Sequence, residues 1–178
     1  LALAAGAASA VAMPPLGFPW VLFLTFPILV LLLDGAARVP RKRSRFVAAA
    51  WIGWWFGFGY FLAGLWWIGS AFLVEAEAFA WMIPFAVAGL PAGLAIFFAG
   101  ATAFAAALWR PGPARILALA VGLSTAEWLR GHVLTGFPWN GLGYALAYDT
   151  VFMQSAALIG VTGLGFLAVL VFASPAAL

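Results

Sequence analysis

Glu127 and Arg130 are opposite charges three residues apart within a largely apolar stretch. On a helix that spacing puts both side chains on one face, where a carboxylate and a guanidinium can pair. A pair at such a place either pins helix packing or faces a polar substrate head group in a wet cavity. The segment that follows, Thr135-Gly136-Phe137-Pro138-Trp139-Asn140-Gly141-Leu142-Gly143-Tyr144, mixes helix-breaking Gly and Pro with three aromatic rings. Phe137, Trp139 and Tyr144 form an amphipathic cluster suited to interface depth. Asn140 and Tyr144 offer hydrogen bonds to an ester or a phosphate. A re-entrant turn capping a bundle is the alternative use of the same segment. The single His132 reads as an interfacial helix-end residue rather than a general base.

Other chemistries are excluded by what is missing. The chain holds no Cys, so it carries no disulfide, no thiolate metal site and no cysteine nucleophile. One His does not make a zinc site, because metal ligands come in clusters, and no metal or cofactor is expected. Hydrophobic residues make up 67% of the sequence and charged residues 7%. Five acids and eight bases cannot cover a water-facing surface, so the expectation is an integral membrane protein. The net charge of +3 does not imply a nucleic-acid partner, since most of the bases sit in two short stretches, Arg38 to Arg45 and Arg110 with Arg115. That distribution orients a chain in a membrane.

The elements that must position these residues are therefore membrane helices. Residues 1–33 carry no charge, but as one helix they would run to about 50 Å, well beyond a ~30 Å hydrocarbon core. Pro14-Pro15-Leu16-Gly17-Phe18-Pro19 is the natural break. The expected fold class is an all-α bundle of about six transmembrane helices, spanning 1–13, 18–33, 46–74, 79–109, 116–134 and 151–174. The first is short, because a sequence with Leu at position 1 and an apolar end reads as a piece of a longer chain. A signal-peptide apolar region is the rival reading of that first stretch. Alternation puts the basic stretches 34–45 and 110–115 on one side, which the positive-inside rule makes cytoplasmic. Glu75, Glu77 and the loop 135–150 fall on the other side.

Within this frame Glu127 lies roughly 17 Å and Arg130 roughly 21 Å along the fifth span, counted from Ile116. Both are in its outer half. Gly53-x-x-x-Gly57 and Gly89-x-x-x-Gly93 are small-residue pairs that allow close helix approach. Trp51, Trp54, Trp55, Trp66 and Trp67 read as belt residues bracketing the third span, with a lipid site as the alternative.

Glu127-Trp128-Leu129-Arg130-Gly131, then Leu134-Thr135-Gly136-Phe137-Pro138-Trp139-Asn140 and Gly143-Tyr144, resemble the bacterial apolipoprotein N-acyltransferases. Gly53-Trp54-Trp55-Phe56-Gly57-Phe58-Gly59-Tyr60-Phe61 with Gly64-Leu65-Trp66-Trp67-Ile68 looks like that family's third span, and Phe85-Ala86-Val87 through Leu90-Pro91 like its fourth. The resemblance implies an inner-membrane enzyme moving an acyl chain from a phospholipid to the amino terminus of a diacylglyceryl-cysteine lipoprotein. It further implies a Glu-Lys-Cys triad on a periplasmic nitrilase-like domain, with the thiolate forming a thioester that the lipoprotein amine resolves. No residue here can take a triad role, and only the family's amino-terminal membrane part is matched. Glu127, Arg130, Phe137, Trp139, Asn140 and Tyr144 are then the expected lining or bracing of an outer mouth. A binding or transport module and a purely structural anchor are the competing classes. If the alternation holds, cysteines introduced at Ser44 and Asn140 will label from opposite faces of intact spheroplasts. Labelling of both from outside by an impermeant reagent would contradict it.

Overall fold

A computed structural model describes residues 1–133, 135–147 and 149–177. It is all-helical, with no strand among the described residues. α1 (Ala2–Ser9) continues as a 3-10 turn, Ala10–Ala12, and ends at the Pro14–Gly17 bend. α2 (Leu22–Ala37) follows a 3-10 turn at Pro19–Val21. α3 (Lys42–Leu65) tightens into 3-10 helix over Trp66–Leu73, and a four-residue α4 (Ala76–Phe79) lies beyond it. The chain then passes a π-helical turn, Phe85–Gly89, into α5 (Leu90–Leu108). α6 (Ala114–His132) and α7 (Thr150–Ala173) complete the bundle.

Four stretches are long and apolar enough to cross a membrane: Pro19–Ala37, Lys42–Leu73, Ala76–Leu108 and Thr150–Ala177. The apolar Ala2–Ala12 is shorter. α6 has 19 residues, about 28 Å of helix, but bears Arg115, Glu127 and Arg130. Helices lie along each of the six expected stretches, and four of them are long and apolar enough to cross a membrane. The third and fourth are not uniform: the third ends in 3-10 helix, and in the fourth Pro84 lacks an N–H and crowds the preceding turn beside the π-helical turn. The second runs past Asp34 to Ala37, since that carboxylate finds partners inside the bundle. Leu134, where the fifth span was expected to end, lies outside the described residues.

α3 is central, flanked by α1 and α5; α6 packs between α5 and α7, and α2 closes against α1, α3 and α7. Lipid is as apolar as leucine, so close packing and interhelical hydrogen bonds must hold such helices together. Thr102 Oγ1 donates to the Ala49 carbonyl at 2.8 Å, Trp54 Nε1 to that of Ala92 at 3.2 Å, and Ser9 Oγ to Thr25 Oγ1 at 2.8 Å. Gly53 makes the α3–α5 approach possible: a Cβ there would stand 2.1 Å from Thr102 Oγ1 and 2.5 Å from the Phe98 carbonyl oxygen. Gly57 is also close, a Cβ there standing 2.8 Å from Phe98 Cβ. Gly89 and Gly93, by contrast, meet nothing within 4 Å among the described residues, so that second small-residue pair makes no helix contact. The tryptophans also differ from expectation. Trp54 is twelve residues into α3, about 18 Å along it, so Trp51, Trp54 and Trp55 sit near mid-helix, and only Trp66 and Trp67 mark its end.

The two ends of the bundle are chemically distinct. At one, Asp34 lies 3.0 Å from Arg115 and accepts from Trp109 Nε1 at 2.9 Å, joining the end of α2 to the α5–α6 connection. Both basic stretches meet there. At the other, Trp67 packs on Trp139 with ring centroids 5.2 Å apart. Gly53→Val is expected to destabilise the full-length protein by about 1–3 kcal/mol through overpacking, whereas Gly93→Ala stays within about 0.5 kcal/mol of wild type. Unfolding in detergent measures both, and equal midpoints would refute the packing role of Gly53.

Candidate functional site

α6 delivers the charged pair. Its sequence is rich in good helix formers and follows Pro113, which fits the start of a helix. The helix stops at Val133, whose ψ of 139° is extended. Beyond it the chain turns back over the helix end, the Phe137 N–H donating to the Arg130 carbonyl at 2.8 Å. Asn140 has φ of 53°, a left-handed conformation that Asn tolerates better than most residues. A short 3-10 turn, Leu142–Ala145, leads on towards α7.

Arg130 and Glu127 are 2% and 9% exposed, and Nη2 lies 3.6 Å from Oε1. Neither side chain is spent on the other alone. Arg130 Nη1 donates to the Phe137 carbonyl, and to that of Trp139 at 2.6 Å. Glu127 Oε1 accepts from the Leu142 N–H at 2.8 Å. The guanidinium also stands over the Phe61 ring, 5.1 Å from its centroid. From α3, the buried Tyr60 hydroxyl donates to the Asn140 carbonyl at 2.9 Å. Three buried side chains thus satisfy four backbone groups of an irregular segment. Buried non-helical backbone requires this, because its polar groups must find partners within the protein.

The face of the loop away from these bonds forms a pocket of about 490 Å³, bordered by Met13, Pro14, Trp67, Trp139, Asn140 and Tyr144. A smaller cavity of about 250 Å³ lies against Glu127, Arg130, His132 and Tyr144. The structure therefore brings all six expected residues into one region but divides their work. Trp139 and Tyr144, 53% and 40% exposed, border the open pocket with Asn140. Glu127 and Arg130 support it from beneath. Phe137 packs against the core and sits 6.4 Å from Trp139, ring to ring. Spacing and residue type singled out neither Tyr60 nor Phe61, and named Trp67 as a belt residue with a lipid site as the alternative. The only signal for Tyr60 was a phenol in an otherwise apolar run, and its partner is a main-chain carbonyl that no pattern names.

The chemistry this arrangement can supply is contact and orientation. An aromatic rim with an amide and a phenol suits a ligand that is part polar, part apolar. His132 ends α6 with Nδ1 2.7 Å from the Trp128 carbonyl oxygen and its ring stacked 4.4 Å from that of Trp128. The ring also borders the smaller cavity.

Comparison with known proteins accords with this geometry. The family described as "Apolipoprotein N-acyltransferase N-terminal domain" matches residues 5–174. A Rhodopseudomonas palustris protein named apolipoprotein N-acyltransferase is 58% identical over 178 residues, covering 100% of this chain and 33% of that protein. One of the same name from Allorhizobium ampelinum is 53% identical over 180 residues, with 100% and 34% covered. A third, from Brucella suis, is 52% identical over 179 residues, with 99% and 34% covered. The chain spans about a third of the length of these relatives. From the glutamate–arginine pair to the loop they hold, it belongs to the apolipoprotein N-acyltransferase family, as the amino-terminal membrane domain.

Proposed function

We propose that this domain lodges the phospholipid acyl donor for apolipoprotein N-acylation and presents its ester outside the bundle. The observation that carries this is the pocket bordered by Trp67, Trp139, Asn140 and Tyr144, built on backbone that Arg130, Glu127 and Tyr60 hold in place. Forming an amide from an unactivated ester needs a nucleophile that becomes a good leaving group. The chain contains no Cys. The thiol that attacks the ester therefore belongs to the remainder of the full-length enzyme, as does the acyl-thioester that the amine of a diacylglyceryl lipoprotein resolves. In this reading the protein resides in the bacterial inner membrane. The basic stretches 34–45 and 110–115 are cytoplasmic, and the loop 135–150 is periplasmic.

Each residue has a distinct part in that reading. Tyr144 and Trp139 contact the donor at head-group depth, where amphipathic rings are at home. Asn140 borders the pocket, while its amide nitrogen is buried towards Gly64 and makes no hydrogen bond among the described residues. Glu127 and Arg130 keep the loop at the right height without touching the donor. In the full-length enzyme, Trp139→Ala and Tyr144→Ala are expected to slow thioester formation by roughly tenfold, the loss of one well-packed aromatic contact. Stability in detergent should be unchanged. Thioester formation and lipoprotein acylation are measured separately, and wild-type rates for both steps in both variants would reduce the loop to a cap.

The bracing role makes a different prediction. Arg130→Met and Glu127→Gln each leave a buried partner uncompensated, an expected cost of about 3–5 kcal/mol. The double variant removes the charge imbalance but leaves the Phe137 and Trp139 carbonyls without their donor. Its thermal unfolding in detergent should therefore fall between the single variants and wild type. A double variant as stable as wild type would remove the bracing role.

A further inference from the structure

At the end of the bundle opposite the aromatic pocket, Asp34, Arg38, Arg45, Trp109 and Arg115 border a cavity of about 330 Å³. Neither the fold's packing nor the acyl donor accounts for its charge. Asp34 is already engaged, 3.0 Å from Arg115 Nη1 and accepting from Trp109 Nε1 at 2.9 Å. Arg115 also donates to the Ala176 carbonyl, which fixes it against the chain after α7. One carboxylate against three guanidiniums leaves two positive charges in excess at the cavity wall. Moreover, Nε of both Arg45 and Arg115 is buried without a hydrogen-bond partner among the described residues. A desolvated N–H left unpaired costs free energy, and one at a guanidinium costs more than most.

The surrounding backbone adds to the same field. α3 and α6 both begin at this end, with Lys42, Arg43 and Arg45 opening the first and Arg115 the second, and neither has a side-chain cap. Basic side chains beside positive helix ends repel, and an anion between them relieves that repulsion. Arg38, at the carboxyl end of α2, is the exception, since it faces a negative helix end and is stabilised there. A phosphate in the cavity suits the guanidinium ends that border it, because their planar fork matches its oxygens. Depth then selects the source. The apolar helices α2 and α5 end here, and Trp109 sits where an interfacial ring belongs. The phosphates at that height are those of membrane lipids, and basic pockets between membrane helices are suited to anionic head groups.

We propose that this cavity binds the phosphate of an anionic phospholipid from the adjacent leaflet, Arg38 and Arg45 making the contacts and the Asp34–Arg115 pair forming the back wall. The site is separate from the acyl-donor pocket and does not rest on it. The test uses the full-length protein in detergent, titrated with phosphatidylglycerol, phosphatidylcholine or inorganic phosphate, with bound lipid counted by native mass spectrometry. Phosphatidylglycerol is expected to be retained in preference to phosphatidylcholine. Arg38→Gln with Arg45→Gln should weaken that retention by roughly tenfold or more. A second measurement leaves the arginines intact. Ala37 also borders the cavity, and a cysteine introduced at Ala37 should be shielded from a soluble maleimide by phosphatidylglycerol and not by phosphatidylcholine. Equal retention of the two lipids, unchanged retention in the Gln variant, or absence of shielding would each overturn the site. Displacement of phosphatidylglycerol by equimolar inorganic phosphate would overturn the lipid as its occupant.

Discussion

An irregular stretch of backbone at the edge of a hydrocarbon layer must have its polar groups satisfied from within the protein. Much of this structure answers to that requirement. Between Phe137 and Leu142 the chain is neither helix nor strand, and its carbonyls and N–H groups are met by Arg130, Tyr60 and Glu127. Those side chains come from two helices, so the loop is held to α3 as well as to the helix it follows. By spacing alone the ion pair suits either a packing role or a substrate head group. Here its geometry is that of a scaffold whose charges make the hydrogen bonds stronger than neutral groups would.

The helices beneath obey a related rule. With no hydrophobic force to gather them in lipid, they depend on close approach and on a few shared hydrogen bonds. The Gly53–Thr102 contact is the clearest case, since one hydroxyl bonds across to Ala49 and at the same time fills the space that a side chain at Gly53 would take. Packing and polarity are thus served by the same atoms.

How much of this could be read beforehand follows from the range of each interaction. The bundle and its breaks were legible, because apolar length and Pro/Gly punctuation are local properties. The Glu127–Arg130 pairing was legible from i, i+3 spacing. Where those side chains spend their remaining hydrogen bonds was not, for their partners are main-chain groups in a loop whose path depends on the whole fold. Tyr60 escaped notice for the same reason. The pair Gly89 and Gly93 shows the opposite failure: a pattern that permits contact does not create one, and what neighbours a helix face is settled by tertiary packing. The 3-10 and π turns around Trp66 and Phe85 were likewise hidden, since hydropathy is blind to a change of helical register.

The break in α7 shapes what that segment presents. Gly160, with φ of 69° and ψ of 172°, interrupts a helix whose later half packs into the bundle and whose end is gripped at Ala176 by Arg115. Before the break the side chains are largely exposed among the described residues, Val151 73% and Leu158 88%. One segment thus carries two surfaces, an anchored one and an apolar one turned outward. They are joined at a corner where an alanine would be strained by the positive φ.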